Sequence, residues 1–350
     1  MEPFITIGKR VIGSGKPTYI IAEMSANHHQ DFCTAEKMLH AAKDAGADAI
    51  KLQTFTADVH TLDVQSAPFK VNGGTLWDGR TLYDLYKECA MPWEWQPKLK
   101  DIADDIGLDL FSSAVDPSGV DFLQTLDVPA YKVTSFEIVD LNLIKCMAKT
   151  QKPIIVSTGM ASISEIDDAV TTIRNEGNKN IALLKCTSAY PASPDEMNLR
   201  TIPHMSKAFQ VPTGLSDHTI GISAPVAAVA LGACIIEKHF TLSRSVPGPD
   251  SSFSCEPHEF KEMVDAVRQT ERALGRVRYE ISEHERSSRS FRRSLFIIRD
   301  MKKGECFTDE NIRSIRPGFG LPPKFIDIIK GRKATQDLSK GTPLSWDVIG

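Results

Sequence analysis

Three ionisable residues in succession, Glu237, Lys238 and His239, end the apolar run of CIIEKHFTLS at residues 234–243, a place where burying charge is costly. Other apolar runs end the same way. Glu23 closes one, Lys51 and Gln53 sit two apart in the next, and Ser112 and Ser113 follow. Further along come Lys132 and Ser135, Ser157 and Thr158, Ser188 and Tyr190, then Ser216, Asp217 and His218. Lysines among hydroxyls make a cradle for a phosphate or carboxylate, because ammonium groups supply charge and hydroxyls supply directional donors. His218 and His239 are candidates to share a divalent metal; the alternative is two histidines hydrogen-bonded within the rim. Glu23 and Glu237 are candidates for acid, base or support of the metal ligands. Singly, each residue has a plainer role, since a serine caps a following helix and a lysine stem reaches solvent. Recurrence at every strand end argues for one site.

Such recurrence needs elements that bring all these ends to one rim. Strand candidates lie at residues 18–23, 49–55, 109–114, 130–135, 153–159, 181–190, 212–218 and 234–240, the seventh being neither long nor strongly apolar. Helical patterns intervene, among them CTAEKMLHAAKDAG, PWEWQPKLKDIADDIG, SISEIDDAVTTIRNEG and ISAPVAAVALGA. Several close on the glycine that helix C-termini favour. Eight βα units predict a TIM (β/α)8 barrel, whose active site forms at the C-terminal ends of the strands. The barrel is expected over residues 1–275. A polar, charge-dense linker follows over 276–293, and a small β-rich domain over 294–350, too small to be more than marginal alone.

The chain has 350 residues, 41% hydrophobic and 25% charged, with a net charge of -4, which argues against an extended nucleic-acid surface and leaves room for a local cationic pocket. There is neither a G-x-x-x-x-G-K-[ST] loop nor a G-x-G-x-x-G after a strand, so nucleotide binding has no support. Seven cysteines without a C-x-x-C pair suit a reducing compartment and mostly packed thiols. No membrane span or secretory leader is apparent, and a cytoplasmic location is expected.

The motifs IIAEMSANHHQ, IKLQTF, AYKVTSFE, VSTGM, LLKCTSAYP, GLSDHTIG and EKHFTL followed by PGPD resemble, in order, those of the sialic acid synthase family. RSL, KKGE, RPGFGLPP and GRKATQDLSKGTPL resemble the antifreeze-like (SAF) domain that these enzymes append to the barrel. GGTLWDGRTLYDLYKECAMPWEW and the AEMSANH form of the first motif are most similar to members that make pseudaminic acid. The resemblance implies condensation of phosphoenolpyruvate with open-chain 2,4-diacetamido-2,4,6-trideoxy-L-altrose; the alternative is an N-acetylmannosamine-type sugar giving N-acetylneuraminate or legionaminate. It implies that Lys51, Ser113, Lys132, Ser135, Ser157, Ser188 and Ser216 hold phosphoenolpyruvate, and that His218 and His239 bind Mn2+ or Mg2+. Glu23 would act near the oxocarbenium-like centre, with Glu237 orienting the metal's surroundings. Asn27, Gln53, Tyr190 and Asp250 would meet the sugar, joined by Arg316 from the partner subunit of a domain-swapped homodimer. The chain departs from the family pattern at Ser188, where an asparagine is usual, and at Ser113-Ala114, where Thr-Pro is usual. A trideoxy sugar calls for a more apolar pocket, for which Trp77, Tyr83, Trp93 and Trp95 are candidates, packing on neighbouring helices being the alternative. Read without the resemblance, a barrel lysine such as Lys132 would also suit a Schiff-base aldolase or an isomerase, whereas a non-catalytic sugar-binding or ice-binding-like protein is suggested only by what the small domain resembles.

Overall fold

The computed structural model describes residues 3–350, which divide into two compact units, residues 3–275 and Arg276–Gly350. In the first, an antiparallel hairpin of β1 (Phe4–Ile7) and β2 (Arg10–Gly13) precedes eight parallel strands. These are β3 (Tyr19–Glu23), β4 (Ala49–Thr54), β5 (Asp109–Ala114), β6 (Tyr131–Val133), β7 (Ile154–Ser157), β8 (Ile181–Cys186), β9 (Thr213–Asp217) and β10 (Ile235–His239). Pairing of β10 with β3 closes the barrel. Apart from β5, which matches, the strand spans are shorter than the sequence suggests, by up to four residues at the C-terminal end of β8, where the chain leaves the ladder to line the site.

Alternation along each strand sorts residues between lumen and helix layer. Ile21, Phe111, Ile155, Leu184 and Ile235 share one core with Ile5, Ile7 and Ile12 of the hairpin, an element that sequence reading did not anticipate. Gly8 approaches Asp109 and Arg10 pairs with Asp48, so the hairpin sits at the N-terminal end of the strands. A second core joins Ile20, Ala22, Ile50, Leu52, Leu110, Leu215 and Ile236 to the surrounding helices, including Met38, Leu99 and Phe260. β9 reads weakly because its glycine is steric: a Cβ on Gly214 would lie 2.2 Å from the Ile235 carbonyl oxygen.

The second unit builds its own core around Leu295, Ile297, Phe307, Ile312, Leu338 and Leu344, with β11 (Ser294–Ile297) antiparallel to β12 (Ile312–Ile315). Residues expected to form a plain linker include a helix, Glu283–Ser288. The reciprocal bonds between Ser282 and Glu285 explain it, since a capping box nucleates even a short polar helix. All seven cysteines are free, and only Cys186, Cys234 and Cys255 are buried, fewer than the expected packing of most. Among the described residues no helix is long and apolar enough to cross a membrane.

Candidate active site

The three residues that end β10 do different work. Glu237 and His239 face the lumen, whereas Lys238 points away from it, ion-paired with Asp217 of β9 and donating to the Thr219 carbonyl at 2.6 Å. Lys238 and Asp217 are register partners, so two adjacent outward positions neutralise each other in the helix layer. Ser112 and Thr158 also turn outward, bonded to Thr54 and to the Leu184 carbonyl.

The inward set lines a cavity of about 500 Å³ at the C-terminal ends of the strands, a size suited to small substrates. Its floor is ionic. Lys51 Nζ lies 2.7 Å from Glu23 Oε2 and 3.9 Å from Glu237 Oε1, and Lys132 Nζ is 3.8 Å from Glu237 Oε1. Lys132 donates to Ser157 Oγ at 2.7 Å, Ser216 to Glu237 Oε1 at 3.1 Å, and Gln53 to Glu23 Oε1 at 3.0 Å. Ser113, Ser135 and Ser188 complete the hydroxyl ring, and Ser135 accepts the Gly159 amide proton at 3.0 Å.

Burial decides the protonation of these groups. It raises Glu23 to about 7 against the pull of Lys51, with the Glu237 charge adding to the rise. Burial also opposes the Glu237 charge, but Lys132 and Lys51 outweigh it and hold that carboxyl below its ordinary value. Lys51 is raised because Glu23 and Glu237 overcome its desolvation. Lys132 is lowered by burial, which Glu237 offsets only in part.

Aromatic rings and histidines form the next layer. His218 and His239 lie with ring centroids 5.2 Å apart, Tyr190 stacks 4.4 Å from His218, and Trp77 lies 5.7 Å from Tyr190. His218 Nδ1 donates to the Thr187 carbonyl at 2.9 Å, which fixes its tautomer when neutral and leaves Nε2 free. Burial lowers His239 well below its usual value, helped by the positive charges around it, and its buried Nδ1 has no hydrogen-bond partner. Among the described residues, no group of three or more His, Cys, Asp or Glu is arranged as a metal cluster. Asp250 accepts from Ser25 and lines the same cavity.

One expected site residue lies elsewhere. Asn27 is buried outside the cavity lining, its amide donating to the Phe240 carbonyl and Ser254 and accepting from Ser251, which commits both of its protons within the protein. Arg316 is exposed in the second unit, just after β12. Of the four aromatic candidates only Trp77 lines the cavity. Trp93 packs 4.8 Å from Phe122, Trp95 sits edge-on to Phe32 and His28, and Tyr83 bonds to Asp58. Sequence reading missed Ser25 and Cys186, which simple alternation from Glu23 and Leu184 points inward, and Glu137, whose half-buried carboxyl burial raises. It also missed the apolar wall of Phe55, His60, Leu82, Leu85 and Tyr86, of which only Leu82, Leu85 and Tyr86 carry a signal, the three- and four-residue spacing of one helix face.

A barrel with two lysines, a ring of hydroxyls and paired carboxylates at its C-terminal mouth is built to hold a small polyanion and move protons beside it. The model of the NeuB family matches residues 38–279 and that of the SAF domain residues 292–349. The chain belongs to the NeuB family. It is 46% identical over 335 residues to the pseudaminic acid synthase of Helicobacter pylori, covering 95% of this chain and 98% of that one. The N,N'-diacetyllegionaminic acid synthase of Legionella pneumophila is 37% identical over 343 residues, covering 96% of each chain. Among solved structures, the spore coat polysaccharide biosynthesis protein spsE of Bacillus subtilis superposes with a TM-score of 0.68 at 35% identity, over 99% of both chains.

Proposed function

We propose that this protein condenses phosphoenolpyruvate with open-chain 2,4-diacetamido-2,4,6-trideoxy-L-altrose, giving pseudaminic acid and inorganic phosphate. The observation that carries the reading is the buried pair Lys51 and Lys132 within a ring of serines, in a chain 46% identical to pseudaminic acid synthases along nearly its whole length. The lysines neutralise the phosphate and carboxylate of phosphoenolpyruvate, and Ser113, Ser135, Ser157, Ser188 and Ser216 donate to their oxygens. The enol carbon attacks the aldehyde carbon, and the aldehyde oxygen takes a proton. Positive character then develops at the carbon bearing the phosphate, where the Glu23 carboxylate stabilises it. Water adds there, its proton passing to a carboxylate. The carbon–oxygen bond to phosphate breaks as the new hydroxyl passes its proton to the departing phosphate, leaving the 2-keto acid. Gln53, Tyr190 and Asp250 orient the sugar.

Our reading includes a divalent cation, Mn2+ or Mg2+, held by His218 and His239. Their fit rests on the unpartnered buried Nδ1 of His239 and on the Nε2 that the Thr187 bond leaves free on His218. When bound, the cation polarises the sugar carbonyl. Glu237 keeps the surrounding charges balanced. We further place the enzyme in the cytoplasm, supported by its seven free thiols. We also assign it a domain-swapped homodimer in which Arg316 reaches the partner's site. Phe136 and Met160, 58% and 65% exposed while lining the cavity, are apolar surface that such a partner would cover.

The test is phosphate release from phosphoenolpyruvate with Mn2+, with an EDTA control, comparing the trideoxy altrose, its mannose-configured isomer and N-acetylmannosamine. Release with the altrose sugar alone, abolished by EDTA, is the expected result. Release with N-acetylmannosamine alone would overturn the product assigned, and undiminished release in EDTA would overturn the metal. Borohydride added with substrate is expected to trap no adduct on Lys132, which separates the synthase from an imine-forming aldolase.

A further inference from the structure

The cavity has a second wall that none of the chemistry above uses. Phe55 leaves the end of β4, His60 ends the short helix Ala57–His60, and Tyr86 projects from the helix Leu82–Cys89. Their rings form a closed triangle: Phe55 to His60 at 4.9 Å, His60 to Tyr86 at 4.2 Å and Phe55 to Tyr86 at 6.0 Å. Leu82 and Leu85 stand beside Tyr86 on the same helix, at the three- and four-residue spacing that shares one face. All five line the cavity.

We propose that this triangle, flanked by Leu82 and Leu85, receives the C6 methyl and an acetamido methyl of the acceptor sugar. It thereby selects a trideoxy diacetamido sugar over a hexosamine with hydroxyls at those positions. The inference rests on the synthase reading above and adds the element that chooses the sugar. Packing between these two helices of the β4–β5 connection, the insert, does not account for the cluster, because His60 and Tyr86 are only half-buried and turn ring surface to the cavity. Burial also lowers His60 from its ordinary value, so the ring is uncharged near neutrality and offers a methyl group an apolar face. The acid, base and anion-binding groups all lie on the barrel strands or directly after them, so the wall can discriminate without touching the reacting atoms.

The experiment measures kcat/KM for the altrose sugar, its mannose-configured isomer and N-acetylmannosamine in the full-length enzyme and in Tyr86→Ser and Tyr86→Phe. An apolar pocket discriminates roughly 10- to 200-fold for each methyl group it accommodates. Tyr86→Ser is therefore expected to lower the ratio of trideoxy sugar to N-acetylmannosamine at least about tenfold, with the KM for phosphoenolpyruvate within about threefold of its starting value. Tyr86→Phe keeps the ring and is expected to keep the ratio. Thermal melting of each variant checks that the insert has stayed folded, and His60→Ser serves in place of any variant that has not. Equal losses on all sugars would overturn the proposal while leaving the synthase reading intact. A wild-type enzyme that prefers N-acetylmannosamine would overturn both. Preference for the mannose isomer would correct the product, and the triangle would still be judged on that sugar, which carries the same methyl and acetamido groups.

Discussion

Glu23 and Lys51 are register partners across β3 and β4, and their side chains meet again in the lumen at 2.7 Å, both almost wholly buried. The ladder thus sets the separation of an ion pair at the floor of the cavity, and neither member has water to fall back on. Replacing Lys51 by Met leaves Glu23 and Glu237 facing each other without their shared cation. The expected loss of stability is about 3–5 kcal/mol by chemical denaturation. Adding Glu23→Gln to that variant is expected to restore part of it; a double variant whose loss equals the sum of the Lys51→Met and Glu23→Gln losses would show that the pair is not coupled.

Glu23 also predicts a pH profile. With its carboxyl raised to about 7, it is protonated below that value and ionised above. Stabilising positive charge needs the ionised form, so kcat/KM rises with pH through about 7 and levels off beyond. Glu23→Gln is expected to remove that inflection and to lower kcat by about 10²- to 10³-fold. A profile unchanged by the substitution would assign the titration to another group.

Gly159 tests the anion cradle without removing any of its donors. A Cβ there would fall 2.2 Å from Ser188 Oγ and 2.7 Å from Ser135 Oγ, so both hydroxyls must turn away while the backbone stays put. Gly159→Ala is expected to raise the KM for phosphoenolpyruvate about tenfold or more, with a much smaller effect on the KM for the sugar. Equal effects on both would place the cradle elsewhere.

Much of this site is legible in the sequence because strands alternate. Glu23, Lys51, Lys132, Ser157, Ser216 and Glu237 all fall at inward parity, and the same rule, applied strictly, sends Lys238, Asp217 and Ser112 outward. What stays illegible has no period to read. The hairpin at residues 4–13 is two strands of four residues. The aromatic wall comes from an irregular stretch in which Trp93 and Trp95 pack against Phe122 and Phe32 while Phe55 and Tyr86 line the cavity, a choice set by tertiary contact. Asn27 misled for a related reason: a polar residue after a barrel strand is as useful for tying down the Phe240 carbonyl as for meeting a substrate.

The swapped dimer has a mixing test. Arg316→Ala and Glu23→Gln are each expected to be nearly inactive alone. If Arg316 serves the partner's barrel, a mixed dimer has one site with both lesions and one with neither, so unfolding and refolding an equal mixture restores about a quarter of wild-type activity. No recovery after verified subunit exchange would place Arg316 in its own barrel's site or outside the reaction.

The segment between β4 and β5 runs from residue 55 to residue 108, by far the longest connection in the barrel, and it carries the aromatic triangle. Bond formation is entrusted to strands that cannot shift without breaking the closed ladder, while the apolar side of the acceptor is met by a connection that lies outside that ladder. One such barrel can therefore be re-addressed to a different nine-carbon product by exchanging a single contiguous stretch of chain, which makes this insert the natural cassette for engineering new members.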